Sequence, residues 1–385
     1  MMKFKDSYVA YLLMYLCYFL SLALFSGLIS IYLMDKGYTA SQVSFVVSCS
    51  FVLSMLFQPI IGYLNDHYDM KKVNCLCLFL SALLGIGFVW MNNIYTIALF
   101  YSFALALFNG TNPVIERMAI FSPFTYGHIR IWGTIGYAIG SQIGGLIYQY
   151  ISPESMYFCF SISLLICVLG IYGTRDIKAY VEEKLQKRVS FKDVFFDRQF
   201  IMYLVVASLF YGITNINSTY LPAMFQNEGI AVNIVSTIIF FITLSELPII
   251  FFSHKYMDQL TNKQLLVGIL CLLMIQFFTY SFIHMKVIKI IIAIMTKAVA
   301  TMTFIMLNMK IVASLVDESH QMTALAVVST FKSLASILFQ SVGGFILDYS
   351  SYQILFIFLF ISSMIILLIC CFMKLPKGND KRLFH

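Results

Sequence analysis

"TRDIKAYVEEKLQKRVSFKDVFFDRQ" (174–199) is the longest charged stretch of the chain, and nearly everything around it is apolar. The 385 residues are 60% hydrophobic and only 11% charged, with a mean hydropathy of +0.86. Water-soluble domains lie near half apolar and about a quarter charged, so this balance belongs in a lipid bilayer. The 24 tyrosines and 37 phenylalanines are more aromatic surface than a soluble core would hide. The chain reads as an all-α integral membrane protein.

A span needs about 20 mostly apolar residues. Twelve runs meet that need: 8–33, 42–64, 73–90, 95–119, 129–150, 155–174, 199–225, 232–253, 264–283, 287–312, 322–347 and 352–373. Their length, and the lack of polar alternation, favour helices over barrel strands. The charged stretch divides them six and six. The expected organisation is an N-terminal six-helix half (1–174), a cytoplasmic linker (175–198) and a C-terminal six-helix half with a short cytoplasmic tail (199–385). The first run is too long for a signal-peptide core and reads as the first span.

Placing both termini in the cytoplasm puts 17 lysines and arginines in cytoplasmic segments. Three, Lys36, Lys286 and Lys289, then lie outside. This is the bias of the positive-inside rule, and an odd number of spans would spoil it. The net charge of +7 therefore marks the topology of a multi-pass protein of the cytoplasmic (plasma) membrane, not a nucleic-acid surface. The nine cysteines all fall in apolar runs, and no histidine or carboxylate set accompanies Cys75 and Cys77. They read as small packed hydrophobes, with no disulfide frame or metal site.

An internal echo supports the division. "DHYDMKK" begins at Asp66 after the second run, and "DQLTNKQ" begins at Asp258 after the eighth, 192 residues later. Each carries a lysine five residues on, Lys71 and Lys263. Two repeated six-helix halves with a central site are a common transporter plan.

Charge inside the runs is rare, and each instance costs about 2.5–3.5 kcal/mol at mid-bilayer on insertion scales. Glu246 in "ITLSELPIIFF", Lys297 in "IAIMTKAVATM" and Lys332 in "VVSTFKSLASI" each stand alone near the middle of a run. Pairing among them would merely hold helices together. Two lysines against one carboxylate leave a positive excess, which favours a wet cavity that touches substrate or carries protons. Glu116 and Arg130 lie nearer run ends, where arginines often snorkel. Arg130 and Tyr137 are two helical turns apart and share a face. A guanidinium fork beside an aromatic plate suits a sugar, and it also suits a carboxylate or a base. Gly136, Gly140 and Gly144 form a small-xxx-small face for tight helix crossing. Pro59, Pro113 and Pro248 are expected to kink their spans.

These residues resemble the major facilitator superfamily, and more narrowly its oligosaccharide/proton symporters, the lactose permease family. "LFQPIIGYLNDHYDMKK" (56–72) is similar to the family's loop after helix two, where Gly62, Asp66 and Lys71 would help lock and release the halves, with Asp258 as the repeat. Asp69 stands where a glycine is usual. "FNGTNPVIE" (108–116) followed by "YGHIRIWGTIGY" (126–137) resembles the sugar-binding stretch, which implies substrate contact by Glu116, Arg130 and Tyr137. "TLSELP" resembles the segment with the helix-eight carboxylate, implying the same for Glu246. Lys332 sits like the buried lysine of helix eleven, and Lys297 like that of helix ten. Two departures concern protons. Asn215 and Asn217 stand in the region where the lactose permease has acids, and Ala300 and Thr303 fall near its proton-handling residues.

The expected function is import of a sugar or small oligosaccharide by alternating access, coupled to protons through Glu246 or Glu116. The proton gradient is the driving force, with no cofactor, and the chain is expected to act as a monomer. Alternatives are a permease for an aromatic acid or other organic anion, a nucleoside permease, or a sensor that binds solute without flux. No Walker A pattern or nucleophile–base pair points to an ATPase or another enzyme.

Overall fold

The computed structural model describes residues 4–175, 198–257, 259–316 and 321–376. Asp258 and nearly all of the expected linker lie outside them. The described residues are helical throughout, with no strand. In chain order the helices are α1 (Tyr8–Ser26), α2 (Ile29–Asp35), α3 (Ala40–His67), α4 (Met70–Val89), α5 (Ile94–Ile120), α6 (Tyr126–Tyr150), α7 (Ser155–Gly173) and α8 (Arg198–Asn227). They continue with α9 (Val232–Leu244), α10 (Glu246–Phe251), α11 (Ser253–Tyr256), α12 (Asn262–Phe282), α13 (Lys286–Leu315), α14 (Gln321–Tyr349) and α15 (Tyr352–Phe372).

With α1–α2 and α9–α10 each forming one span, these helices answer the twelve apolar runs. Eleven are long and apolar enough to cross a membrane. The twelfth is α6, whose glycines, Gln142 and Arg130 dilute its hydropathy. Several helices begin before the apolar run because their first turn is polar and capped. Thr39 and Thr261 each form a capping box, with Gln42 and Gln264. Asp69 accepts a hydrogen bond from the Lys72 amide and caps α4, so the departure from glycine has a local purpose.

Of the three prolines expected to kink spans, Pro248 interrupts one. In an unbroken helix its ring would clash with the carbonyl four residues back, that of Leu244, and α9 ends at that residue. Ser245, in the break, donates to the Ile294 carbonyl at 3.1 Å. Pro59 and Pro113 lie within unbroken helices.

Two compact units emerge. The first holds the described residues up to 175 together with Thr219–Leu244. In it α1 packs against α6 and α7, α3 against α5, and α9 against α6. Its aromatic core includes Phe25, stacked on Tyr101 at 5.1 Å and against Phe160 at 4.3 Å. The glycine face does what its spacing implies. A Cβ on Gly140 would sit 2.5 Å from the Leu20 carbonyl oxygen, and one on Gly136 would collide with that of Leu16. Only hydrogen fits, so α6 lies directly on the α1 backbone. At the far end of α6, Asp35 accepts from the Tyr148 hydroxyl at 2.5 Å and from Gln226 Nε2 at 3.0 Å. These bonds help tie the end of α8 into this unit.

The second unit holds the described residues from 198 to Ser218 and from Ser245 onward. Here α12 packs against α13 and α15. Phe210 of α8 stacks on Phe304 of α13 at 3.7 Å. Tyr203 donates to Asn308 at 2.6 Å between the same helices.

The echo between the halves has a structural counterpart. Lys71 Nζ donates to the Thr174 carbonyl at 2.5 Å, just past the end of α7. Lys263 Nζ donates to the Cys371 carbonyl at 2.8 Å, in the last turn of α15. Each lysine supplies a donor and a positive charge where a helix ends on unpaired carbonyls.

Candidate functional site

The first cluster is built at the turn between α5 and α6. Glu116 lies in the last stretch of α5, and Tyr126 opens α6 after the five-residue turn 121–125. Tyr126 and Arg130 are four residues apart, so both project from one face of α6. That face meets Glu116. Arg130 Nη1 donates to Glu116 Oε1 at 3.1 Å, and the Tyr126 hydroxyl donates to Oε2 at 2.6 Å. Both carboxylate oxygens are thus engaged. The pair is part-buried rather than sealed, with the Arg130 and Glu116 side chains 31% and 27% exposed.

Helix α1 supplies the wall. The guanidinium carbon of Arg130 lies 5.6 Å from the centre of the Phe19 ring, and Phe19 packs against Tyr15 at 5.5 Å. Both rings crowd the space that a side chain on Gly133 would fill. The Tyr15 hydroxyl is buried near Glu116 and Arg130. Trp132 donates to the Tyr8 hydroxyl at 2.7 Å, which fixes the start of α6 against the start of α1. Tyr137 follows two turns beyond Arg130, half-buried, about 10 Å further along the axis at 1.5 Å per residue.

The sequence brings Glu116 and Arg130 to notice, and the structure joins them. Tyr126 lies in the same motif but was not singled out. Phe19 and Tyr15 were missed entirely, since one aromatic in an aromatic-rich helix carries no signal of what it faces.

The second unit carries its charges differently. Glu246 is the first residue after the helix break and lies near enough to Lys297 on α13 to act on it electrostatically. Lys332, half-buried on α14, holds its ammonium 4.3 Å from the centre of the Tyr211 ring on α8. No described carboxylate acts on it. A desolvated cation–π contact contributes about 2 kcal/mol, which offsets part of the cost of the charge. One helical turn along from that contact, Asn215 Nδ2 donates to Ser336 Oγ at 2.5 Å. Gln340 Nε2 reaches the Asn215 carbonyl at 3.5 Å. Lys332, Ser336 and Gln340 recur every four residues on α14, facing Tyr211 and Asn215 on α8. This is a polar seam between two apolar helices. Asn217 is buried away from water.

Of the loop residues, Gly62 and Asp66 are exposed at the end of α3, and Lys71 reaches Thr174 as described. Asp258 lies outside the described residues. The nine cysteines are free thiols. Among the described residues no group of three or more histidines, cysteines and carboxylates could hold a metal.

These arrangements can be set beside known proteins. The chain is 21% identical over 265 residues to the uncharacterized transporter YwbF of Bacillus subtilis, covering 67% of this chain and 66% of that one. It is 26% identical over 233 residues to the sucrose permease of Escherichia coli, covering 54% and 55%. The chain thus spans two thirds or less of the length of these relatives. A crystal structure of the nucleoside transporter NupG superposes with a TM-score of 0.80 over 94% of this chain and 98% of that one, at 15% identity. That likeness is one of fold. The model of the MFS_1 like family matches residues 8–373, nearly the whole sequence, and the chain therefore belongs to that family and to the major facilitator superfamily.

Proposed function

We propose that the chain is a secondary transporter that carries a sugar or small oligosaccharide across the plasma membrane by alternating access, driven by protons. The observation that carries this reading is the Glu116–Arg130–Tyr126 cluster beside Phe19. A carboxylate accepts hydroxyl protons, a guanidinium donates to hydroxyl oxygens, and a ring packs on the apolar face of a pyranose. The Tyr126 hydroxyl already occupies Glu116 Oε2 as a sugar hydroxyl would. Sequence similarity to a sucrose permease supports the same substrate class. In this reading both termini are cytoplasmic, the ligands are one small solute and protons, and one chain suffices.

The test is uptake of labelled sucrose, maltose and melibiose by cells expressing the chain, with wild type and Arg130→Ala compared at equal surface amount. Uptake by wild type and its loss in the variant support the site. Transport unchanged by Arg130→Ala removes it. No uptake of any sugar by wild type moves the reading to an organic anion or a nucleoside, with labelled benzoate and uridine as the next probes.

A further inference from the structure

Glu246, Lys297 and Lys332 of the second unit lie inside its membrane-spanning helices. Glu246 and Lys297 act on each other. Lys332 has an aromatic ring, and no described carboxylate acts on it. Tyr211 on α8 faces the ammonium. Lys297 on α13 lies within electrostatic reach of Glu246, and Lys310 on α13 donates to the Met257 and Leu260 carbonyls. Cys370 on α15 lies toward Lys263. Asp348 shares α14 but is sixteen residues on, about 24 Å along the axis. A ring offsets part of the cost of an ammonium but supplies no full negative charge, so the charge on Lys332 is uncompensated in a way that the other two are not.

An uncompensated interior ammonium is relieved by losing its proton or by binding an anion. We infer that Lys332 is the group that takes up and releases the transported proton. This rests on the transport reading above and adds the residue that couples it. The step is the breaking of one N–H bond: the ammonium becomes an amine, and the proton passes to water. Nothing is oxidised or reduced. With a neutral sugar, the loaded carrier holds the ammonium and the empty carrier returns with the amine, so one proton moves with each sugar. The seam of Ser336 and Asn215 fixes α14 against α8 beside the amine, and Tyr211 gives the charged form a resting place.

The experiment uses the full chain in membrane vesicles, with labelled sucrose, maltose and melibiose as probes. Counterflow reports binding and exchange, and protonophore-sensitive accumulation reports coupling. Wild type is compared with Lys332→Gln, which cannot bind the proton, and Lys332→Arg, which cannot release it. Expected is that wild type concentrates at least one sugar and loses the gradient with protonophore. Both variants are expected to retain counterflow and to level at equal concentrations inside and out. Protonophore-sensitive accumulation in either variant overturns the inference. So does loss of counterflow in both at normal surface amount, which would make Lys332 a substrate contact. Wild type that exchanges sugar without concentrating it overturns the inference and leaves the sugar reading standing. Wild type without counterflow of any sugar removes that reading, and the inference with it.

Discussion

Arg130 in the first unit and Lys332 in the second are both cations set in membrane-spanning helices, yet they are neutralised differently. Arg130 meets a carboxylate whose second oxygen is filled by a tyrosine. Lys332 meets the face of a ring, and no described carboxylate acts on it. The first arrangement fixes a dipole with donors and acceptors, suited to recognising hydroxyls. The second sets an ammonium on an aromatic face, and the coupling role inferred for Lys332 rests on that difference. An arginine cannot give up its proton in a protein, whereas a lysine in an apolar setting can.

The largest expected effect is on the first arrangement. Glu116→Ala and Arg130→Ala should each abolish sugar uptake, and the double variant should be no worse than either. A double-mutant cycle on binding should show strong non-additivity, within the 0.5–3 kcal/mol typical of contacting pairs. Additive losses would break the idea that the two act as one site.

Next comes the packing that positions Arg130. Gly136→Leu drives a side chain into the α1 backbone and should destabilise the protein by about 1–3 kcal/mol or more, read as a lower melting temperature in detergent and less protein at the surface. Gly144→Ala should be tolerated, because its Cβ would meet Met156 and Leu24 side chains at 3.3 and 3.4 Å rather than backbone. Equal damage from both would show that the close approach of α6 to α1 does not matter.

A smaller effect separates the two cations. Tyr211→Leu removes the ring and should weaken the resting place of Lys332 by roughly 1–2 kcal/mol, while Tyr211→Phe keeps it. Accumulation should fall in the first and persist in the second. Identical behaviour of the two would show that the ring is packing alone. The smallest effect concerns the repeated caps. Lys71→Met and Lys263→Met should each cost about 0.3–1 kcal/mol of stability, similar in both halves. A large loss of transport without loss of stability would give Lys71 the gating role that its motif implies.

Much of this was legible in advance. The twelve runs, their bounds to within a few residues, and the repeat after the second and eighth spans follow from hydropathy and spacing, which act locally along the chain. The Glu116–Arg130 motif was legible for a similar reason, since both residues flank one short turn. Pro59, Pro113 and Pro248 give the same signal in sequence, yet only Pro248 of the three meets a break, because a helix packed among neighbours can carry a proline without one. Phe19, Tyr15 and Tyr211 gave no signal, because a ring in an aromatic-rich span has no sequence mark for the face it presents.

Hydropathy and residue identity assign the membrane class, the number of spans and the interior charges. Burying backbone in lipid demands helices, and each unpaired charge there is too costly to be incidental. Which ring each charge meets depends on helix packing. Lys332 and Arg130 look alike as letters in apolar runs. The placement of Phe19 beside Arg130, and of Tyr211 beside Lys332, comes from how helices distant in sequence pack, because in lipid close packing and hydrogen bonding choose the neighbours.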